Sequence, residues 1–351
     1  MLKGRIVSRK MMCVLLAVTM MAGCVLTGCG NARSGSSSGN AGKEAEAANA
    51  PADGNSEGDQ DGASGKPAEV SVIIETFDNT FASFVMNAMK KYEEEHADEI
   101  HITYLDSKQD ANTQISQVEN QILNGTQAII CLAVDAKQSE PIVKACKEAG
   151  VPLIAFNRVF ENCDSFVGAD GAVAGTLLAQ YTGEKLGGKG NVAIVNGIMG
   201  QENQFIRRDA IVETLSETYP DMQVVIEGAG DWKRDKALQL VETWLQSGTD
   251  IDAILCLNDD MAMGTQLAVE QAGKSGDIIV CGVNGDPDGI NGVKDGKIAA
   301  TVFQNPDLQA KEALEAALQY IHGEKPESKI MIPFELVTSD NVGDYVQYAQ
   351  K

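Results

Sequence analysis

With 351 residues, 44% of them hydrophobic, the chain can bury a full core, and its length fits about two domains. Its 50 Asp and Glu outweigh 28 Lys and Arg, for a net charge of -22. That excludes the basic face with which a nucleic-acid binder neutralises phosphates.

The first ten residues carry Lys3, Arg5, Arg9 and Lys10 and no acid, and an apolar run from Met11 to Val25 follows. This is the charge-then-apolar pattern of a secretory signal, and the run is too short for a convincing spanning helix. Leu26-Thr27-Gly28-Cys29 resembles the bacterial lipoprotein box, in which the cysteine is lipidated and becomes the mature N-terminus. Met21-Ala22-Gly23-Cys24 is a weaker competitor. From Gly30 to about Pro67 come Gly, Ser, Ala, Asn and scattered acids with almost no large apolar side chain. Such a stretch cannot offset its chain entropy and reads as a disordered tether. A lipid at one end and a tether behind it place the folded part on the extracytoplasmic face of a membrane, anchored but not inserted.

Strands and helices then alternate. Val70 to Thr76, Ile100 to Leu105, Ala128 to Ala133, Pro152 to Phe156, Asn191 to Val195, Met222 to Glu227, Ala253 to Leu257, Ile278 to Val283 and Ala299 to Phe303 are expected strands. Between them lie helical periodicities such as Ala111 to Leu123, Ala172 to Leu186, Phe205 to Thr218 and Lys236 to Gln246. Alternation of this kind predicts α/β architecture with parallel sheets flanked by helices. There are too many strands for one comfortable sheet, so two similar lobes are expected. Phe334 to Val337 reads as a further extended crossing, and a helix from Asn341 closes the chain. Of the eight cysteines, five fall in the folded part without metal-ligand spacing. Cys131, Cys256 and Cys281 lie inside apolar runs, where a free thiol packs as a small hydrophobe.

No catalytic set emerges. The histidines, His96, His101 and His322, lie far in sequence from any nucleophile. No phosphate loop follows a strand: Gly187-Gly188-Lys189-Gly190 precedes one. What does recur is a set of amides, arginines and aromatics at strand exits: Asn79 and Phe81, Asn157 and Arg158, Gln201, Asn203 and Arg207, Trp232, Asn258, Asn284, Gln304. Planar amides and guanidinium groups give paired hydrogen bonds to neighbouring hydroxyls, and aromatic faces cover the C–H surface of a sugar ring. Singly, Asn79, Asn203 and Asn284 also fit turns or caps, Phe81 and Trp232 fit core, and Arg207 beside Arg208 fits a solvated helix face. Asn258 and the acids Asp259 and Asp260 after it fit a helix cap.

Taken in order, these motifs resemble the type 1 periplasmic sugar-binding proteins, solute receptors of bacterial ABC importers related to ribose- and galactose/glucose-binding proteins. The resemblance runs from about Val70 to the C-terminus. It is most specific at Asn258-Asp-Asp-Met-Ala-Met-Gly264, Gly282-Val-Asn-Gly-Asp-Pro-Asp-Gly289 and Ile298-Ala-Ala-Thr-Val-Phe-Gln304. It implies ring stacking by Phe81 and Trp232 and hydrogen bonding by Asn79, Asn157, Arg158, Arg207, Asn258 and Gln304. It also implies two lobes, 69–170 plus 304–333 and 171–303 plus 334–351, behind a signal (1–28) and a lipidated tether (29–68). Hinge crossings are implied near Gly168 to Gly171, Val302 to Asn305 and Ile332 to Glu335. Three departures stand out: Asn284 where the family usually has an aspartate, apolar residues near Leu132 in place of an asparagine, and no counterpart of a calcium loop.

The function implied is capture of a monosaccharide or cyclic polyol (galactose/glucose, ribose or inositol type) and delivery to an ABC permease. The protein is expected to act as a monomer, without cofactor, metal or catalysis. The same fold and pocket also suit a ligand sensor for chemotaxis or a membrane kinase. Trp232→Ala and Arg158→Ala are each expected to abolish tight binding with the fold intact.

Overall fold

Whether an apolar run forms a strand with both faces covered depends on where the chain finds helices for those faces. The computed structural model describes residues 66–350. The expected signal, the Cys29 lipidation site and nearly all of the tether lie outside the described residues. In the first half, β1 (Ala68–Ile74), β2 (Ile100–Asp106), β3 (Ala128–Cys131), β4 (Leu153–Phe156) and β5 (Ser165–Gly168) run with α1 (Thr80–Glu95), α2 (Ala111–Leu123) and α3 (Glu140–Ala149). The strand period of two sends Val72 and Ile74 toward α1, and Ile73 toward α2 and α3.

The second half repeats the pattern. It comprises α4 (Gly171–Lys185), β6 (Lys189–Asn196), α5 (Glu202–Thr218), β7 (Asp221–Ala229), α6 (Arg234–Gln246), β8 (Ala253–Cys256), α7 (Asp259–Gln271), β9 (Ile279–Asn284), α8 (Pro287–Lys294) and β10 (Ala300–Gln304). Then α9 (Pro306–Ile321) and β11 (Lys329–Met331) return to the first sheet, and β12 (Phe334–Thr338) joins the second. The sheets run β11-β5-β4-β3-β1-β2 and β12-β10-β9-β8-β6-β7. All pairs are parallel except β10 with β12. This is the two-lobed α/β architecture that the alternation predicts.

The chain passes between sheets three times, at Ala169 and Asp170, at Asn305, and at Ile332 and Pro333. Two of these passages are tied together, since Ile332 N donates to Gly168 O at 2.8 Å. Each lobe has its own core. Phe156 and Phe303 are both almost fully buried, and burying one such side chain stabilises by about 1.5–3 kcal/mol.

Three details differ from the sequence reading. β5 and β11 are short strands that no run of apolar residues announces. The helix expected from Asn341 is instead two short 3-10 turns, Val342–Tyr345 and Tyr348–Gln350. Tyr345 and Tyr348 both pack on the Phe303 ring, at 5.1 and 4.7 Å between centroids. Tyr345 closes the first of these turns and Tyr348 opens the second, so packing on Phe303 spans the break between them.

Candidate functional site

In parallel sheets the carboxyl ends of the strands are the open ends, because there the chain must turn into a helix. Both sheets point these ends at one cleft with an empty volume of about 610 Å³, counting the part open to solvent. From the first lobe come Glu75 and Thr76 after β1, Asn79 and Phe81 at the start of α1, and Asn157 and Arg158 after β4. The second lobe contributes Asn203 and Arg207 on α5, Trp232 after β7, Asn258 after β8, and Asn284 and Gln304 at the ends of β9 and β10.

Several of these side chains serve the local fold and the cleft at once. Asn79 caps α1, its Oδ1 accepting from Ala82 N at 3.1 Å, and its Nδ2 donates to Glu75 Oε1 at 2.8 Å. Asn258 caps α7 through Met261 N at 2.9 Å and donates to Trp232 O at 3.4 Å. The cap and contact readings of these two asparagines are therefore compatible. Asp259, by contrast, leaves the capping to Asn258: fully buried, it accepts from Thr301 Oγ1 at 2.7 Å and Asp286 N at 3.1 Å. Burial pushes the Asp259 carboxyl up to about 7. Asp286 is raised as well, first by burial and then by the neighbouring Asp259. Asp260 also departs from capping, pairing with Arg234 at 3.1 Å and accepting from Thr80 of the other lobe.

The two arginines are held from behind. Arg158 Nη1 donates to Ala133 O at 2.6 Å and lies 2.5 Å from Glu75 Oε2. Arg207 donates to Leu257 O at 2.6 Å and Gln304 Oε1 at 3.3 Å, with its guanidinium 5.7 Å from the Phe334 ring centroid. Burial lowers Arg207 to about 10, with Asp259 opposing the shift. Both arginines are 4% exposed, and in both the buried Nε–H finds no acceptor among the described residues. Buried donors without acceptors are costly.

Backbone strain gathers here too. Seven described non-glycine residues have positive φ, and five of them, Gln109, Asn157, Asp231, Trp232 and Asn284, line the cleft. Such conformations cost about 1–3 kcal/mol each and persist where the surroundings fix them. Under Trp232 the chain keeps Gly197, where a Cβ would meet the indole Cζ2 at 2.0 Å.

Ten of the eleven residues singled out from sequence line this cleft, and Gln201 stands behind its wall. Gln201 Oε1 accepts from Trp232 Nε1 at 2.7 Å and from Arg158 Nη2 at 3.2 Å, so it orients one side chain from each lobe. The cleft adds Glu75, Thr76, Asp78, Thr80, Gln109, Asp231 and Lys233, which the sequence reading missed. The available signal was an acid directly behind a buried strand, the pattern that drew notice at Arg158. The expectation that Arg158→Ala spares the fold needs correction, because the change leaves Glu75 buried without its cation, at a cost of about 3–5 kcal/mol. Among the described residues, no three His, Cys, Asp or Glu gather to hold a metal.

Residues 70–325 match the family described as a periplasmic binding protein domain. A xylitol-binding protein of Mycolicibacterium smegmatis is 34% identical over 255 residues, covering 72% of this chain and 72% of that protein. A ribose import binding protein of Bacillus subtilis is 30% identical over 275 residues, covering 78% and 88%. An ABC transporter solute binding protein from Bacillus halodurans, solved with bound myo-inositol, superposes with a TM-score of 0.77 at 34% identity, covering 82% of this chain and 99% of that one.

Proposed function

The chain belongs to the periplasmic binding protein domain family, and from that premise we propose that its lobes close around one monosaccharide or cyclic polyol and present the closed form to the permease of an ABC importer. It is a receptor of the family's solute-binding kind and not an enzyme. The observation that carries the ligand class is the meeting of two buried arginines, Arg158 and Arg207, from opposite lobes in one cleft with amides around them. Two donors on opposite lobes suit a ligand with acceptor oxygens all round its ring, and Phe81 and Trp232 suit the apolar faces of that ring. The ribose and myo-inositol of two relatives have such a ring, while the xylitol of a third is an open-chain polyol that shares only the run of hydroxyls. Closure follows as a population shift: contacts made to both lobes at once favour the closed arrangement, and the three short passages between sheets absorb the rotation. We further propose that Cys29 carries a lipid that tethers the receptor outside the cytoplasm, as a monomer.

The test is a thermal-shift screen of pentoses, hexoses and cyclitols. A ligand present at 100 times its Kd raises stability by about 2.7 kcal/mol. A melting temperature unmoved by every member of the three classes would refute the reading.

A further inference from the structure

Glu75 is the cleft residue for which the polyol reading supplies no task. It follows β1, is 2% exposed, and touches two of the residues assigned to the ligand: Arg158 Nη1 at 2.5 Å and Asn79 Nδ2 at 2.8 Å. Its backbone carbonyl accepts from Gln109 N at 2.7 Å, which ties in a third cleft residue. A carboxylate is buried this deeply only where its charge is matched, and here the match is Arg158.

The electrical consequence is local. With Glu75 against it, the Arg158 guanidinium contributes almost no net charge to the first-lobe wall, and the two residues face the cleft as a neutral pair. Such a pair suits an uncharged hydroxyl or ring oxygen. A ligand carboxylate in the same place would meet the charge of Glu75 across a wall with little water to screen it. The other carboxyl acting on Arg158 is Glu202, which burial pushes above its ordinary value and so toward its neutral form. The second lobe differs: among the described residues no carboxylate pairs with Arg207 within 4.0 Å, and Asp259, which acts on it from further off, is pushed toward its neutral form by burial.

We propose that Glu75 is the specificity-determining residue of the cleft: paired with Arg158, it confines the part of the ligand held by the first lobe to uncharged hydroxyls and turns sugar acids away there. The inference rests on the polyol reading and adds the charge class.

The test uses the whole chain and two panels of probes: myo-inositol, glucose, galactose, ribose and xylitol, against glucuronate, galacturonate and ribonate. In the wild type a neutral probe binds more tightly than any acid. Glu75→Gln leaves Arg158 uncompensated, and the ratio of best acid affinity to best neutral affinity rises at least tenfold. A purely structural loss lowers both affinities together and leaves that ratio in place. Glu75→Gln with Arg158→Gln restores neutrality and returns the ratio to within about threefold of the wild type, the span of ordinary context effects. Should Glu75→Gln fail to fold, Arg158→Gln, whose own cost in stability is checked by its melting temperature, carries the test with opposite sign, sharpening the rejection of acids. An unchanged ratio in the folded single variant, or a wild type that takes an acid at least as well as a neutral probe, would overturn the inference. A wild type that binds none of the neutral probes defeats the polyol reading itself, a separate result.

Discussion

At the scale of residues, the most consequential pair outside the cleft wall is Asp259 with Asp286. Both carboxyls are raised, Asp259 to about 7, chiefly because burial disfavours their charge; the charge of Asp259 further raises Asp286, and Asp260 further raises Asp259. A carboxyl that holds its proton more tightly in the folded chain than in the unfolded one stabilises the fold at low pH. That contribution is lost as pH rises from the ordinary aspartate value of 3.8 to about 7. Asp286→Asn keeps an oxygen for Gly289 N, which Asp286 Oδ1 caps at 2.8 Å, and removes one of the two charges. Thermal melts at pH 5, 6.5 and 8 are expected to show the wild type losing stability across the series and the variant losing at most half as much. Parallel curves would mean that the pair is not the source. The acids illustrate what composition hides: Asp259 and Asp260 sit side by side after an apolar strand and look alike as capping residues. One is buried by Thr301 and the Asp286 amide, the other reaches Thr80 and Arg234. Glu75 and Arg158 were equally hard to join, because their pairing depends on β1 and β4 lying on either side of β3. The amides and aromatics were legible for a simpler reason, since polar residues immediately behind buried strands have few other places to go.

At the scale of elements, long periodic segments declare themselves and short ones do not. Ala111–Leu123 as α2 and the first-lobe strands rest on apolar periods that survive any context. β11 has three residues with an intermediate one between two exposed ones, and β5 has four, so neither holds enough of a period to be recognised. Helix contact distances are likewise invisible until the helices meet. Gly175 on α4 lies so close to α5 that a Cβ would stand 2.3 Å from Arg207 O and 2.9 Å from Ala210 Cβ. Gly175→Ala gains helix propensity, about 1 kcal/mol at most, but overpacks a contact made by backbone, which costs about 1–3 kcal/mol. The backbone it displaces carries Arg207 into the cleft. The expected result is a lower melting temperature together with several-fold weaker binding of whichever sugar the screen identifies. Unchanged affinity in a destabilised variant would show that α5 can shift without moving the guanidinium.

At the scale of the whole molecule, the question is how much of closure the protein supplies itself. Hydrogen bonds already span the lobes: Thr80 Oγ1 to Asp260, Arg158 Nη2 to Gln201 Oε1 at 3.2 Å, and Asn203 Nδ2 to Asn157 O at 3.4 Å. The last two involve side chains assigned to the ligand, so altering them changes ligand contact and closure together. Thr80 also lines the cleft but is not assigned to the ligand, and Asp260 stays anchored by Arg234 when the hydroxyl is removed. Thr80→Val keeps the shape of the side chain and deletes that one bond between lobes, worth about 0.5–1.5 kcal/mol net. Apparent affinity scales with the closed population that the ligand selects, so it should fall about 2- to 12-fold while the side chains assigned to the ligand stay in place. Small-angle scattering supplies the second readout. Without sugar the variant is expected to have a larger radius of gyration than the wild type, and with saturating sugar the two should coincide. If both affinity and radius match the wild type, closure is driven by the ligand alone and the Thr80 contact merely follows it.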